Sequence, residues 1–364
     1  MPEIKLFAVN MPESVDEPLL KTLHSGYIGQ GPKVEEFETL LRDYFKVNAL
    51  TVNSGTSAIT LALRLANVGR GDEVITTPMT CSATNLPILS LGGIPVFADV
   101  DPETGLIDPE SVASLITPKT KAILAVDWGG TPGPSVSLSL IAKKHKLKLI
   151  IDSAHAFGAP HTIKPLADFV CFSLQAIKHI TTVDGGVLLC KNIGDAARGR
   201  ALRWFGINRE LGSLDSRINE DIFEWGYKFH MNDVAATIGI EQMKDLRVIL
   251  TTHQLTAHFY DQKISSYYGK PPKGIGAYWL YTLRLPTTKA RDEFKTFMAA
   301  RQIMVSQVHR RNDEYKVFKP YARNLPGVSK FSSTMVCIPI HAKLTADEVQ
   351  LIITSCNEFV ETQT

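Results

Sequence analysis

The chain has 364 residues, enough for a large core and, since single cores seldom grow past about 250–300 residues, for a second, smaller domain. Its 39 basic and 37 acidic residues give a net charge of +2 without a polybasic run, which excludes a nucleic-acid-binding footprint and points to small-molecule partners. No stretch approaches the roughly 20 apolar residues of a membrane span, the start Met1 to Lys5 leads into no apolar signal core, and Cys81, Cys171, Cys190, Cys337 and Cys356 show no metal-ligand spacing. A soluble protein of the reducing cytoplasm, with no membrane partner and no metal, is expected.

From about residue 48 to 190, short β-branched runs alternate with helical patterns. Strands are predicted over 49–53, 73–77, 95–100, 122–126, 147–151, 169–172 and 187–190, an alternation that implies a largely parallel sheet covered by helices. A helix is predicted over 56–67, where Ile59, Leu61, Leu63 and Leu65 crowd an apolar surface and Gly69 ends it. The segments 101–105 and 131–134 carry turn chemistry, with proline fixing φ and glycine permitting positive φ. Beyond about 240 the pattern changes. A long helix over 240–260, a Gly/Pro/Lys-rich break at 269–274 that reads as a linker, a strand over 278–285 and helices over 290–300 and 346–360 describe a smaller α+β unit. The class is α/β, with a large domain over 20–240 and a small one over 241–364.

Ligands of open α/β sheets bind beyond the carboxyl ends of the strands, so residues that follow the apolar runs are the site candidates. Asn53-Ser54-Gly55-Thr56-Ser57 follows a strand and opens a helix. Its backbone N–H groups, the positive helix end and its hydroxyls make an anion cradle suited to phosphate, and an ordinary N-cap uses the same residues. Asp152 closes Leu149-Ile150-Ile151; a carboxylate there caps a turn or, beside a pyridine nitrogen, keeps that nitrogen protonated. His155, three residues on, would support the carboxylate or pack on the ring. Ser173 ends the next run, and Lys178 follows five residues later, ahead of Asp184-Gly185-Gly186. A lysine between two strands is more often a solvated loop residue than a nucleophile. In this company it becomes a Schiff-base candidate, because burial beside a cationic cofactor lowers an amine's pKa toward the neutral form that attacks a carbonyl. Together these are the parts of a pyridoxal phosphate site.

The order Ser-Gly-Thr-Ser, then Asp-x-x-His roughly a hundred residues later, then Ser-x-x-x-x-Lys before Gly-Gly resembles the DegT/DnrJ/EryC1/StrS family of nucleotide-sugar aminotransferases. The likeness extends over 26–32, 71–75, 99–102 and 226–236, and covers residues 20 to 350. It implies the PLP-dependent transferase fold type I (aspartate aminotransferase-like), with a mostly parallel sheet in the large domain, residues 1–19 joined to the small C-terminal domain, and a homodimer with shared active sites. By this resemblance Lys178 is the internal-aldimine lysine and the proton-transfer base, Asp152 is the pyridinium partner, Gly55, Thr56, Ser57 and Ser173 hold the phosphate, and His155 lies near the ring. Cys81 stands where many relatives carry a stacking aromatic residue, and Gln175 where His or Asn is common. His230 replaces the Asn or Arg offered to the neighbouring subunit's cofactor phosphate. Tyr27, His309, Arg310 and Arg311 are substrate candidates, since guanidinium forks suit diphosphate oxygens; a solvated loop is as good a reading of the arginine pair.

The reaction implied moves the amino group of L-glutamate onto the cofactor and from there onto a nucleotide-linked keto sugar, a 4-keto or 3-keto 6-deoxyhexose. Two alternatives share the fold. A sugar dehydratase of the same family has histidine in place of the lysine, which Lys178 opposes, and a non-catalytic PLP-binding regulatory protein is disfavoured by the intact set Lys178, Asp152 and Ser173.

Overall fold

The computed structural model describes residues 3–207, 218, 221–274 and 276–363. Seven strands build the main sheet: β1 (Asn48–Val52), β2 (Glu73–Thr76), β3 (Ile94–Phe97), β4 (Thr120–Val126), β5 (Lys148–Asp152), β6 (Phe169–Ser173) and β7 (Gly186–Cys190). Their order is β1-β7-β6-β5-β4-β2-β3. All neighbours are parallel except β7, which runs antiparallel to both β1 and β6. This is the mostly parallel sheet that the alternation of runs and helices predicts. Because helices cover both faces, the strands read as nearly continuous apolar runs, and every residue of β7 is buried.

The helices, in chain order, are α1 (Asp16–Leu23), α2 (Pro32–Phe45), α3 (Gly55–Leu65), α4 (Ser82–Ser90), α5 (Pro109–Ser114), α6 (Ser135–His145), α7 (Ile193–Leu202), α8 (Asp233–Lys263), α9 (Thr288–Ala300), α10 (Pro326–Thr334) and α11 (Ala346–Glu361). Successive strand residues point to opposite faces, so each strand feeds two cores. Ile123, Leu149, Val170 and Leu189 meet Phe37, Leu41 and Phe45 of α2 and Ile240, Leu246 and Ile249 of α8. Leu124, Ile150, Cys171 and Leu188 meet Ile59, Leu61, Leu63 and Leu65 of α3.

A two-stranded antiparallel sheet of β8 (Tyr281–Arg284) and β9 (Met335–Ile338) carries the second layer. Phe294 and Met298 of α9 and Ile352 and Phe359 of α11 pack on it, together with Ile4 from the N-terminal segment. Helix α8 ties the layers together, for its later residues Ala257 and Tyr260 belong to this cluster. That helix starts earlier than the predicted 240, at a cap where the Asn232 side chain accepts from the Ala235 N–H; Ala236 and Gly239 in its first turns add little apolar periodicity. The strand predicted over 278–285 contracts to four residues. Tyr278 takes a left-handed backbone (φ 50°), and the N–H groups of Ala277 and Leu280 donate to Gly130 and Gly129 of the turn after β4, so this stretch is drawn to the main sheet instead of to a strand.

Candidate active site

Strands β1, β5 and β6 deliver their C-terminal residues to one edge. Val52 and Ser173 both stand opposite Gly186 of β7, which places the turn at Ser54 and Gly55 against Ser173. A Cβ on Gly55 would lie 2.8 Å from that of Ser173, and one on Gly186 would lie 2.4 Å from the Ser54 carbonyl oxygen. Glycine at both positions lets the turn approach this closely. Ser54 caps α3 by accepting from the Ser57 N–H at 3.0 Å. The Ser57 hydroxyl is spent within the turn, donating to Asn53 Oδ1 at 2.6 Å and meeting Ser54 Oγ at 2.9 Å. Thr56 remains exposed at the cavity wall.

A cavity of about 420 Å³ lies above this edge. Lys178, Asp152, Ser173, Gly55 and Thr56 line it, as do Cys81, His155, Gln175 and His309. The Asp152 carboxylate accepts from Thr84 Oγ1 at 2.7 Å and from the Ala154 N–H at 3.1 Å. Its burial raises its pKa against the pull of these two donors and of Lys178. Burial also lowers the Lys178 amine to about 8, opposed by the charges of Asp152 and Cys81. Burial drives His155 well below its ordinary range. The His155 Nδ1 accepts from the Gly129 N–H at 3.3 Å, which places the proton of the neutral ring on Nε2.

Several lining residues have no signal in their own segment of sequence. Thr84 orients Asp152 and is itself bonded to Thr80 at 2.8 Å, yet a threonine in the first turn of α4 looks like any other. Trp279 and Phe7 reach the cavity from the second layer and the N-terminal segment, and their rings stack with centroids 4.8 Å apart. Asp127 accepts from Ser153 Oγ at 2.6 Å, His161 Nε2 at 3.0 Å and the Gly133 N–H at 2.9 Å, bracing the turns after β4 and β5. Asn312 pins the wall that carries His309 by donating from Nδ2 to the Thr80 carbonyl at 2.7 Å.

The residues present fit pyridoxal phosphate: a helix-end cradle, a buried carboxylate and a buried amine converge on one cavity of small-molecule size. The profile of the DegT/DnrJ/EryC1/StrS aminotransferase family matches residues 10–357. The chain belongs to that family. It is a PLP-dependent sugar aminotransferase of fold type I. CalS13 of Micromonospora echinospora, solved as a sugar aminotransferase, is similar at 30% identity and a TM-score of 0.92, with 98% of this chain and 99% of that one covered. Spr1654 of Streptococcus pneumoniae, solved in a PLP form, is similar at 26% identity and a TM-score of 0.91, with both chains covered completely (100%). A UDP-4-amino-4-deoxy-L-arabinose–oxoglutarate aminotransferase of Shewanella sediminis is 33% identical over 70% of this chain and 68% of its own.

Five sequence candidates lie outside the main cavity of the aminotransferase: Ser57, whose hydroxyl the turn itself occupies, and His230, Tyr27, Arg310 and Arg311. His230 pairs with Val52 across an isolated bridge, and its ring meets Trp204 edge-on at 4.1 Å. Tyr27 is 64% exposed beside a separate hollow that includes Lys33 and Asp233. Arg310 bonds Glu314 at 2.8 Å, and Arg311 forms a bidentate pair with Asp313 at 2.7 and 2.6 Å and donates to Ser329 at 2.8 Å. Both arginines line a polar cleft of about 700 Å³ that shares Val308 and His309 with the main cavity.

Left-handed backbone recurs at the cavity. Val183 (φ 71°), Tyr278 (φ 50°) and Val308 (φ 62°) each directly precede a lining residue, respectively Asp184, Trp279 and His309. A β-branched residue in this region costs roughly 1–2 kcal/mol. At Val183 the surrounding bonds hold it there: its N–H donates to Thr181 Oγ1, and Thr182 Oγ1 donates to the Asp184 carbonyl, both at 2.9 Å. Val183→Gly is expected to stabilise the protein by about 0.5–1 kcal/mol in urea unfolding, the relief being partly offset by glycine's larger unfolded-state entropy. A lower urea midpoint for the variant would show that Val183 carries no strain.

Proposed function

We propose that this enzyme transfers the amino group of L-glutamate to a nucleotide-linked keto sugar, a 4-keto or 3-keto 6-deoxyhexose, and that Lys178 is its catalytic residue. The observation that carries the reading is the convergence of Lys178, Asp152, Ser173 and the 54–56 turn on one cavity. When bound, pyridoxal phosphate supplies the electron sink for loss of a proton next to nitrogen. Lys178 Nζ moves that proton: a buried amine near neutrality serves as base and as acid at working pH. Asp152, oriented by Thr84 and Ala154, would hold the ring nitrogen in its protonated form. Gly55, Thr56 and Ser173 bind the phosphate, while Ser57 holds the turn in shape. His155, Cys81 and Gln175 line the cavity and would hold the ring.

The polar cleft beside His309 suits the sugar's diphosphate, with Arg310 and Arg311 released from their acidic neighbours to receive it and Tyr27 contributed near the sugar. The name of the Shewanella relative, which couples a UDP-linked 4-amino sugar to oxoglutarate, supports both the donor and the nucleotide linkage. We also read a homodimer in which His230 reaches the partner's cofactor phosphate. Phe223, 93% exposed, with Ile222, Trp225 and Ile28 leaves large apolar side chains that a second copy would cover. The two-domain division, 20–240 against 241–364 with 1–19, and a cytoplasmic location complete the reading; all five cysteines are free thiols, and among the described residues no helix is long and apolar enough to cross a membrane.

Glutamate added to the PLP-loaded protein should convert its visible absorbance to that of the pyridoxamine form, and a panel of nucleotide-linked keto sugars should restore it. Arg310→Ala and Arg311→Ala should each raise KM for the sugar about ten-fold, the loss of one charge-assisted contact, and leave the glutamate half-reaction unchanged. A colour change with glutamate that no nucleotide sugar reverses would redirect the acceptor to free keto sugars or sugar acids.

A further inference from the structure

The Lys178 ammonium rests over a ring. Its Nζ lies 3.5 Å from the centroid of Trp279, and among the described residues Lys178 forms no ion pair. Trp279 is built into this position from several sides. It is 3% exposed, and its Nε1 donates to the Ile177 carbonyl at 2.8 Å, so the ring is tied to the lysine's own segment. His155 stacks on it at 4.0 Å and 22°, and Phe7 at 4.8 Å and 18°. The two backbone carbonyls before it are each held by a buried histidine: His179 Nε2 donates to Ala277 at 2.9 Å and His253 Nδ1 to Tyr278 at 2.8 Å.

We propose that Trp279 is a positioning residue whose indole face is the resting place of the Lys178 ammonium whenever that amine is not bonded to the cofactor. The proposal rests on the reading of Lys178 as the cofactor lysine. During half of a transamination cycle the amino group is carried elsewhere, and a buried ammonium without a partner would be expelled or would lose its proton. A cation over an indole face is held by the ring quadrupole, more strongly when both are dry. Asp152 and Cys81 also favour the charged amine, and the indole face adds to their pull the ring contact made by Nζ itself. Asp152 is engaged with Thr84 and Ala154, Asp184 and Cys81 line the same cavity, and His155, His179 and His309 are kept uncharged by burial.

The test uses the full-length protein freed of cofactor. The rate of Lys178 acylation, read by peptide mass spectrometry across pH, reports the amine's pKa, about 8 in the native protein. Replacing the four tryptophans biosynthetically by mono- and then multiply fluorinated tryptophan keeps the ring's shape and drains its quadrupole. The Lys178 pKa should fall stepwise, giving about three-fold or more faster acylation at neutral pH. In Trp279→Phe protein the same fluorinated series should cause no shift, which assigns the effect to this ring. A pKa that stays constant or rises with fluorination overturns the proposal. Borohydride reduction in the presence of PLP, followed by peptide mapping, reads separately whether Lys178 bonds the cofactor. Label on another lysine would sink that reading while leaving the fluorination result to stand or fall alone.

Discussion

Lys178→Met protein is expected to lose transamination by a factor of roughly 10²–10⁴ or more, the usual contribution of a positioned acid–base group, and to bind PLP without the colour of a lysine adduct. The same substitution should stabilise the cofactor-free protein. In the fold the amine's pKa is about 8 against an ordinary 10.5, so the unfolded chain binds more protons between these values. Wild-type stability therefore carries a penalty that is fully present below pH 8, shrinks as pH rises toward 10.5 and is gone above it. The penalty is about 3 kcal/mol, and methionine, close in size and uncharged, removes it. Urea unfolding of the cofactor-free proteins at pH 7 and pH 10 checks this. The variant's advantage should be largest at pH 7; an advantage equal at both pH values would mean that the amine is not desolvated. Activity and stability thus move in opposite directions at one residue, as expected where burial is used to tune a reactive group.

Glu38→Ala should cost about 3–5 kcal/mol, the usual penalty for leaving a buried charge without its partner. Glu38 of α2 and Arg203, just past α7, are both nearly inaccessible, at 5% and 4% exposure. Arg203 Nη1 donates to Glu38 and, at 2.8 Å, to the Thr51 carbonyl. Glu38 also accepts from the Thr51 N–H at 2.8 Å and hydroxyl at 2.9 Å. Removing the carboxylate strands a guanidinium and two donors on β1. Because Thr51 lies just ahead of the 53–57 turn, and Arg203 is followed by Trp204 against His230, the loss should also weaken cofactor binding. The double variant Glu38→Met/Arg203→Met should regain most of the stability, since an apolar pair of similar volume replaces a matched buried pair at little cost. Thermal unfolding and PLP titration of the three proteins measure both effects. A single variant within 1 kcal/mol of wild type would show that water or a rearranged side chain satisfies Arg203.

Much of the site was legible along the chain. Asp152, Ser173 and Lys178 announce themselves because each follows an apolar run, and chain order through parallel strands places such residues on one edge. The Gly55 turn is visible for the same reason: a strand that runs into a small-residue helix start leaves backbone donors at the sheet's edge. Trp279 and Thr84 were not legible. Their roles depend on what they touch, and a contact between segments far apart along the chain leaves no mark in either segment. Tyr278 misleads in another way, since Tyr-Trp-Leu-Tyr has strand composition while bonds to Gly129 and Gly130 pull the first half of it away from the strand.

The sequence by itself determined the class of sheet, the helices that cover it and the candidate residues at its carboxyl edge, because periodicity, turn chemistry and the order of residues along the chain are local properties. Tertiary structure alone decided which candidates share a cavity: His309 joins Lys178, whereas Ser57 turns its hydroxyl inward and Arg310 and Arg311 face the neighbouring cleft. It also decided the state of the amine. Lys178 has the ordinary pKa of any lysine until the sheet edge, Asp152 and the Trp279 loop exclude water around it, and desolvation belongs to the assembled fold, not to any stretch of chain.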